Sequence, residues 1–151
     1  MEKKLRVYMD NCCYNRPFDD QRQRSVQLET QAKLWIQEAI KNDTLELVVS
    51  FMLHYENSFN KNREKAYHIT EFFKNAVMYV DNTLMHDVAP LRDVIMATGI
   101  KQKDATHLAS AIIAKVDYFI TTDKRILKYN SSYIKTINPV DFIRRWEELG
   151  K

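Results

Sequence analysis

The stretch from Asp104 to Asp123, DATHLASAIIAKVDYFITTD, decides the fold. Its residues Ala105, Leu108, Ala109, Ile112 and Ile113 recur at spacings of three and four, which is one apolar face of a helix opening at Asp104. Tyr118-Phe119-Ile120-Thr121 then reads as a strand that stops at Thr122-Asp123, where a short helix starts. A helix feeding a short apolar strand that ends on an acid is a repeating unit of α/β proteins with a parallel sheet.

The same alternation extends outward in both directions. Leu5 to Met9 is a strand stopping at Asp10-Asn11, followed by a polar loop through Asn15-Arg16-Pro17-Phe18-Asp19-Asp20. From about Asp20 to Asn42 a helix presents Leu28, Ala32, Trp35, Ile36, Ala39 and Ile40 as its buried stripe. Leu45 to Val49 is a strand apolar on both faces, as in a sheet covered on both sides. Ser50 caps the next helix, which carries Phe51, Met52, Tyr55 and Glu56, and a further helix buries Ala66, Ile69, Phe73 and Ala76. Val77 to Val80 reads as a short edge strand. Leu84, Val88, Leu91 and Ile95 continue in helical rhythm; Pro90 fits a first turn, so that helix is placed from near Asp87, with Gly99 as its stop. Ile134 to Ile137 is the last strand, then Asn138-Pro139 cap and open a helix facing the core with Phe142, Ile143 and Trp146.

The 151 residues suit a single domain spanning 1–151, 45% hydrophobic and 28% charged, which is ordinary for a soluble globular chain. Only Gly99 and Gly150 are glycine, where average usage gives about 10. Neither a dinucleotide fingerprint nor a phosphate-cradling P-loop can be written with that inventory. The adjacent pair Cys12-Cys13 matches no zinc knuckle, redox pair or disulfide framework, and reads as core packing in a reducing compartment. The amino-terminal apolar stretch is broken by Arg6 and ended by Asp10, too short for a signal peptide, and no apolar run approaches a membrane span. The expected location is cytoplasmic, with no membrane partner. A net charge of +3 allows an anionic partner without requiring one.

In a parallel sheet the carboxyl ends of the strands share one edge, where ligands bind. Asp10, Glu56, Asp104 and Asp123 are all placed there. Four acids crowded together raise one another's pKa or need a cation, and an oxygen-only donor set selects Mg²⁺ or Mn²⁺ over zinc. Taken singly, Asp104 and Asp123 each also read as a helix N-cap, Asp10 as a turn residue and Glu56 as a solvated helix position. Lys124, Arg125, Arg16, Lys101 and Lys103 fall in loops near the same edge and are candidates for phosphate contact, Lys124-Arg125 foremost. Arg22 and Arg24 read as solvent-facing, His107 as a helix-surface histidine, and Thr121 and Thr122 as β-branched residues that need no role beyond strand formation.

Asp10 after the first strand, Glu56 after Ser50, Lys103-Asp104-Ala105-Thr106-His107-Leu108-Ala109-Ser110-Ala111 and Ile120-Thr121-Thr122-Asp123-Lys124-Arg125 together resemble the PIN-domain ribonucleases, a family that includes the VapC-like toxins of toxin–antitoxin pairs. The resemblance runs from about Leu5 to Phe142. It implies a three-layer α/β/α sandwich, a Mg²⁺ or Mn²⁺ site built from Asp10, Glu56, Asp104 and Asp123, and hydrolysis of RNA. It further implies a homodimer and, for a toxin, a cognate antitoxin protein. The chain departs from the family in carrying Asn11-Cys12 where a small hydroxyl residue and Asn often follow the first acid. A response regulator would pair an acid with Asp10 and close its last strand with lysine, and a haloacid-type phosphatase would have Asp-x-Asp at the first strand; the chain has neither. The rival reading is a catalytically silent PIN-like module that binds RNA or protein, for which retaining four mutually repelling acids serves no purpose.

Overall fold

A computed structural model describes residues 4–15, 21–129 and 131–150. Five parallel strands form one sheet in the order β3-β2-β1-β4-β5. They are β1 (Arg6–Met9), β2 (Glu46–Ser50), β3 (Met78–Val80), β4 (Tyr118–Ile120) and β5 (Lys135–Ile137). Eight helices connect and cover them among the described residues: α1 (Asn11–Asn15), α2 (Arg24–Lys41), α3 (Phe51–Ser58), α4 (Arg63–Phe73), α5 (Met85–Met96), α6 (Gln102–Ile113), α7 (Lys124–Leu127) and α8 (Pro139–Glu148). The domain is a three-layer α/β/α sandwich, as the alternation of elements requires.

The central strands are apolar on both faces because both are covered. Val7, Met9, Leu47, Val48, Phe119 and Ile120 are all buried. Register sets Tyr8 beside Val48 and Phe119, and the Tyr8 and Phe119 rings stack at 5.1 Å on the side covered by α6. On the opposite side Tyr118 meets Phe142 of α8 edge-on at 5.5 Å, and α8 packs on α2.

Several elements differ from their sequence-based expectation for identifiable reasons. Asn11 to Asn15 is helical, where the end of β1 was expected to run into a polar loop; residues 16–20 of that loop, with Arg16, lie outside the described residues. In α2 the buried set is Ala32, Lys33, Ile36, Ala39 and Ile40, while Leu28 and Trp35 are exposed. At about 100° per residue Trp35 sits beside the Ile36 line, on the flank turned from the core. Lys33 takes a place in that stripe, with its Nζ 4.5 Å from the Tyr14 ring centre. Phe72 joins Ala66, Ile69 and Phe73 in the buried face of α4, while Ala76 follows the helix. The α5 helix starts at Met85 after a 3-10 turn, so Pro90 lies in its second turn; it lacks the N–H that would reach back to His86, and both residues are exposed to water. Asn138 caps α8 by accepting the Val140 N–H, with Pro139 at the first helical position, as expected.

Candidate active site

Parallel pairing brings the ends of β1, β2 and β4 to one edge, and the polar residues there interlock. Asp10 follows β1 and is nearly fully buried. Its Oδ1 accepts the Asn11 N–H at 2.8 Å, and its Oδ2 accepts the Thr121 hydroxyl at 2.8 Å. Thr121 Oγ1 in turn accepts the Asp123 N–H at 3.0 Å. One buried hydroxyl therefore ties the first acid to the backbone of the last. Reading Thr121 as a strand former alone is corrected by these two bonds. Thr121 also supplies a hydroxyl beside Asp10 that Asn11-Cys12 do not. Cys13 packs in the core as expected, but Cys12 belongs to the edge: its Sγ lies 3.1 Å from Thr122 Oγ1 and 3.6 Å from Asp10 Oδ2.

Glu56 lies on α3 and turns inward to His107, whose Nε2 stands 2.5 Å from Glu56 Oε1. His107 Nδ1 is 2.6 Å from the Tyr8 hydroxyl, itself 2.6 Å from Ser50 Oγ. Tyr8, Ser50 and His107 have no exposed surface. His107 is thus a buried clamp on Glu56 and not a helix-surface residue. Burial alone would lower the imidazole pKa, but the Glu56 hydrogen bond and the charges of Asp10, Glu56 and Asp104 outweigh it and raise the value. Glu56, His107, Tyr8 and Ser50 thus form one hydrogen-bonded chain running from the edge into the core. Ser50 occupies the N-cap position of α3, yet its side chain caps nothing because it is engaged with Tyr8.

Asp104 stands in the first turn of α6, whose N-cap is Lys101, so it is not the cap. It makes no hydrogen bond or ion pair among the described residues. Partial burial raises its pKa first, then Asp10; His107 opposes this, and Asp123 and Glu56 add to it. The electrostatics of this one carboxyl therefore register all three other acids. Asp123 does cap α7, its Oδ1 accepting the Arg125 N–H at 2.8 Å, while its second oxygen has no partner among the described residues. Capping and facing the edge are compatible for a carboxylate with two oxygens.

The basic residues fall around this edge as follows. Lys124 and Arg125 are exposed on the first turn of α7, with Arg125 Nε 3.8 Å from Asp123. Lys103 is exposed on α6 beside Asp104, and Lys101 precedes that helix. Arg22 and Arg24 are exposed to solvent.

No ligand accompanies the chain, so a cation is judged on donor chemistry. Oxygen donors, net negative charge and a half-buried carboxylate with no hydrogen-bond donor fit a hard divalent ion. Among the described residues, no three His, Cys, Asp or Glu side chains are already drawn close enough to hold a metal. No helix among them is long and apolar enough to cross a membrane. The chain matches no protein-family model and no curated protein.

Proposed function

We propose that the protein is a Mg²⁺- or Mn²⁺-dependent ribonuclease that hydrolyses RNA phosphodiester bonds at the edge formed by Asp10, Glu56, Asp104 and Asp123. The observation that carries this reading is Asp104, a half-buried carboxyl with no hydrogen-bond donor among the described residues, its pKa raised by that burial first and then by Asp10, Asp123 and Glu56 on separate elements. A cluster of this kind weakens the fold unless positive charge enters it. Asp10, Glu56, Asp104 and Asp123 would hold the ion. When bound, a divalent cation supplies Lewis-acid activation of water and neutralises charge on the phosphodiester.

The chain's own residues do the positioning. Thr121 fixes Asp10 relative to Asp123, and His107 fixes Glu56, so two of the acids are oriented by buried partners before any substrate arrives. Lys124, Arg125 and Lys103 offer exposed cations for phosphate oxygens around the acids. RNA as the substrate, a homodimer as the assembly and a cognate antitoxin as a partner follow from the resemblance to PIN-domain ribonucleases, and so does a role as the toxin of such a pair.

The test is cleavage of single-stranded RNA by purified protein with Mg²⁺ or Mn²⁺, with EDTA, and with Asp104→Asn. The proposal expects cleavage that needs the metal and falls by orders of magnitude in the variant. Cleavage undiminished by EDTA would overturn it. RNA binding without cleavage under any metal would establish the silent binding module instead.

A further inference from the structure

Beside the acids lies an aromatic patch that neither the hydrophobic core nor the acid cluster explains. Tyr55 on α3 and Phe59, the residue that caps its C-terminus, are 49% and 65% exposed, and their rings meet edge to face at 4.9 Å. The Lys103 Nζ stands 5.9 Å from the Tyr55 ring centre, within the reach of a cation–π contact. Tyr55 is the residue before Glu56, and Lys103 is the residue before Asp104. The patch thus lies on the two helices that carry Glu56 and Asp104, with consecutive residues of each helix turned about 100° apart.

Trp35, Tyr67, Tyr79 and Tyr133 are exposed too, but only the Tyr55–Phe59 pair has both a ring-to-ring contact and a lysine ammonium within reach among these exposed rings. Three features select the occupant. The rings present π-faces, an ammonium lies against one of them, and the whole borders a site for a phosphodiester. A planar group carrying an adjacent negative charge satisfies all three, and an unpaired nucleotide is such a group: its base stacks on the ring while its phosphate meets the lysine. A second protein surface would need an apolar face for the rings and a separate carboxylate for the ammonium, whereas one nucleotide carries the ring and the negative charge together.

Resting on the ribonuclease reading, we propose that Tyr55 and Phe59, with Lys103, form a stacking subsite for an unpaired base of single-stranded RNA, next to the bond to be cut. The site therefore prefers single-stranded substrate, because a paired base cannot leave its own stack to reach Tyr55.

Binding is measured by fluorescence anisotropy of an end-labelled single-stranded oligouridylate in EDTA, where no cleavage intervenes, with duplex RNA as competitor and sedimentation run in parallel. Tyr55→Ala and Phe59→Ala should each weaken binding by about tenfold, the loss expected of one base stack. Tyr55→Trp should retain affinity, since a stack needs only a ring. Lys103→Ala should lower the salt slope by ~0.7, the signature of one single-strand phosphate contact, while Tyr55→Ala leaves the slope unchanged. Duplex RNA should compete poorly. Wild-type affinity in both alanine variants would overturn the subsite while leaving the ribonuclease reading intact. A lower sedimenting mass with unchanged RNA affinity would assign the patch to self-association instead, and overturns it too. Wild-type protein that binds no RNA either in EDTA or with Mg²⁺ would end both readings, whereas metal-dependent cleavage failing with binding intact would end only the first.

Discussion

Replacing Thr121 by valine separates two accounts of the strand end that make opposite forecasts. Valine matches threonine in shape and is at least as good a strand former, so a residue present only for packing would tolerate Thr121→Val and suffer more from Thr121→Ser. The structure gives the hydroxyl two buried bonds, one donated to the Asp10 carboxylate at 2.8 Å and one accepted from the Asp123 N–H at 3.0 Å. A hydrogen bond to a carboxylate contributes roughly 1.5–3 kcal/mol, and one between neutral groups about 0.5–1.5 kcal/mol. The added methyl of valine returns at most about 0.8 kcal/mol. The expected net loss is about 1–4 kcal/mol for Thr121→Val. Thr121→Ser keeps both bonds and gives up one buried methyl, a loss of about 1 kcal/mol. Urea unfolding reads both, as a lower midpoint with an unchanged slope. Activity should fall more in the valine variant than in the serine variant, since Asp10 loses the donor that orients it. A valine variant as stable as wild type, or a serine variant less stable than the valine one, would refute the hydrogen-bond account.

Other expectations follow from the same contacts. Asp104→Asn should hold or raise the melting temperature of the metal-free protein, because a charge leaves a crowded site, and should shrink the Mg²⁺-induced shift. His107 has a folded pKa above its ordinary 6.5, so its charge contributes stability fully present below pH 6.5 and lost as pH rises through the folded value. In metal-free protein, the stability gap between wild type and His107→Gln should therefore narrow on going from acid toward alkaline pH, measured by urea unfolding at each pH. Tyr8→Phe removes a hydroxyl shared by two fully buried groups and should destabilise by roughly 2–4 kcal/mol, with Ser50→Ala costing less. Lys124→Ala with Arg125→Ala should weaken RNA binding uniformly across sequences and flatten its salt slope by up to ~1.4, at ~0.7 for each single-strand contact.

The alternation of elements was legible because two short periodicities, two and about 3.6, are written in neighbouring residues. That Asp10 and Asp123 stand just beyond neighbouring strands follows from the rule that parallel strands end together, whereas Glu56 and Asp104 stand on α3 and α6. What escaped were the partners that orient the acids. His107 lies 51 positions from Glu56 and 99 from Tyr8, so nothing local marks it as buried. Its place among Ala105, Leu108 and Ala109, in a stretch of α6 from Ala105 to Ala111 that is buried all round, was the available signal. Thr121 was hidden in another way, since threonine at a strand end is expected whether or not its hydroxyl has work. Trp35 misled because apolar character was read as burial, and the helix turned it to solvent while drawing Lys33 inward.

The strand order has a consequence for when the acidic edge is assembled. Asp10 is joined to Thr121 across 111 positions, and β1 cannot gain its second neighbour, β4, until the chain has passed Ile120. A ribosome-bound fragment stopping short of that strand carries Asp10, Glu56 and Asp104 but lacks the hydroxyl that sets the first and the acid that completes the group. Closure of such distant pairs is slow relative to local helix formation. Synthesis order therefore sets assembly order: the edge closes late, after most of the polypeptide has already been made.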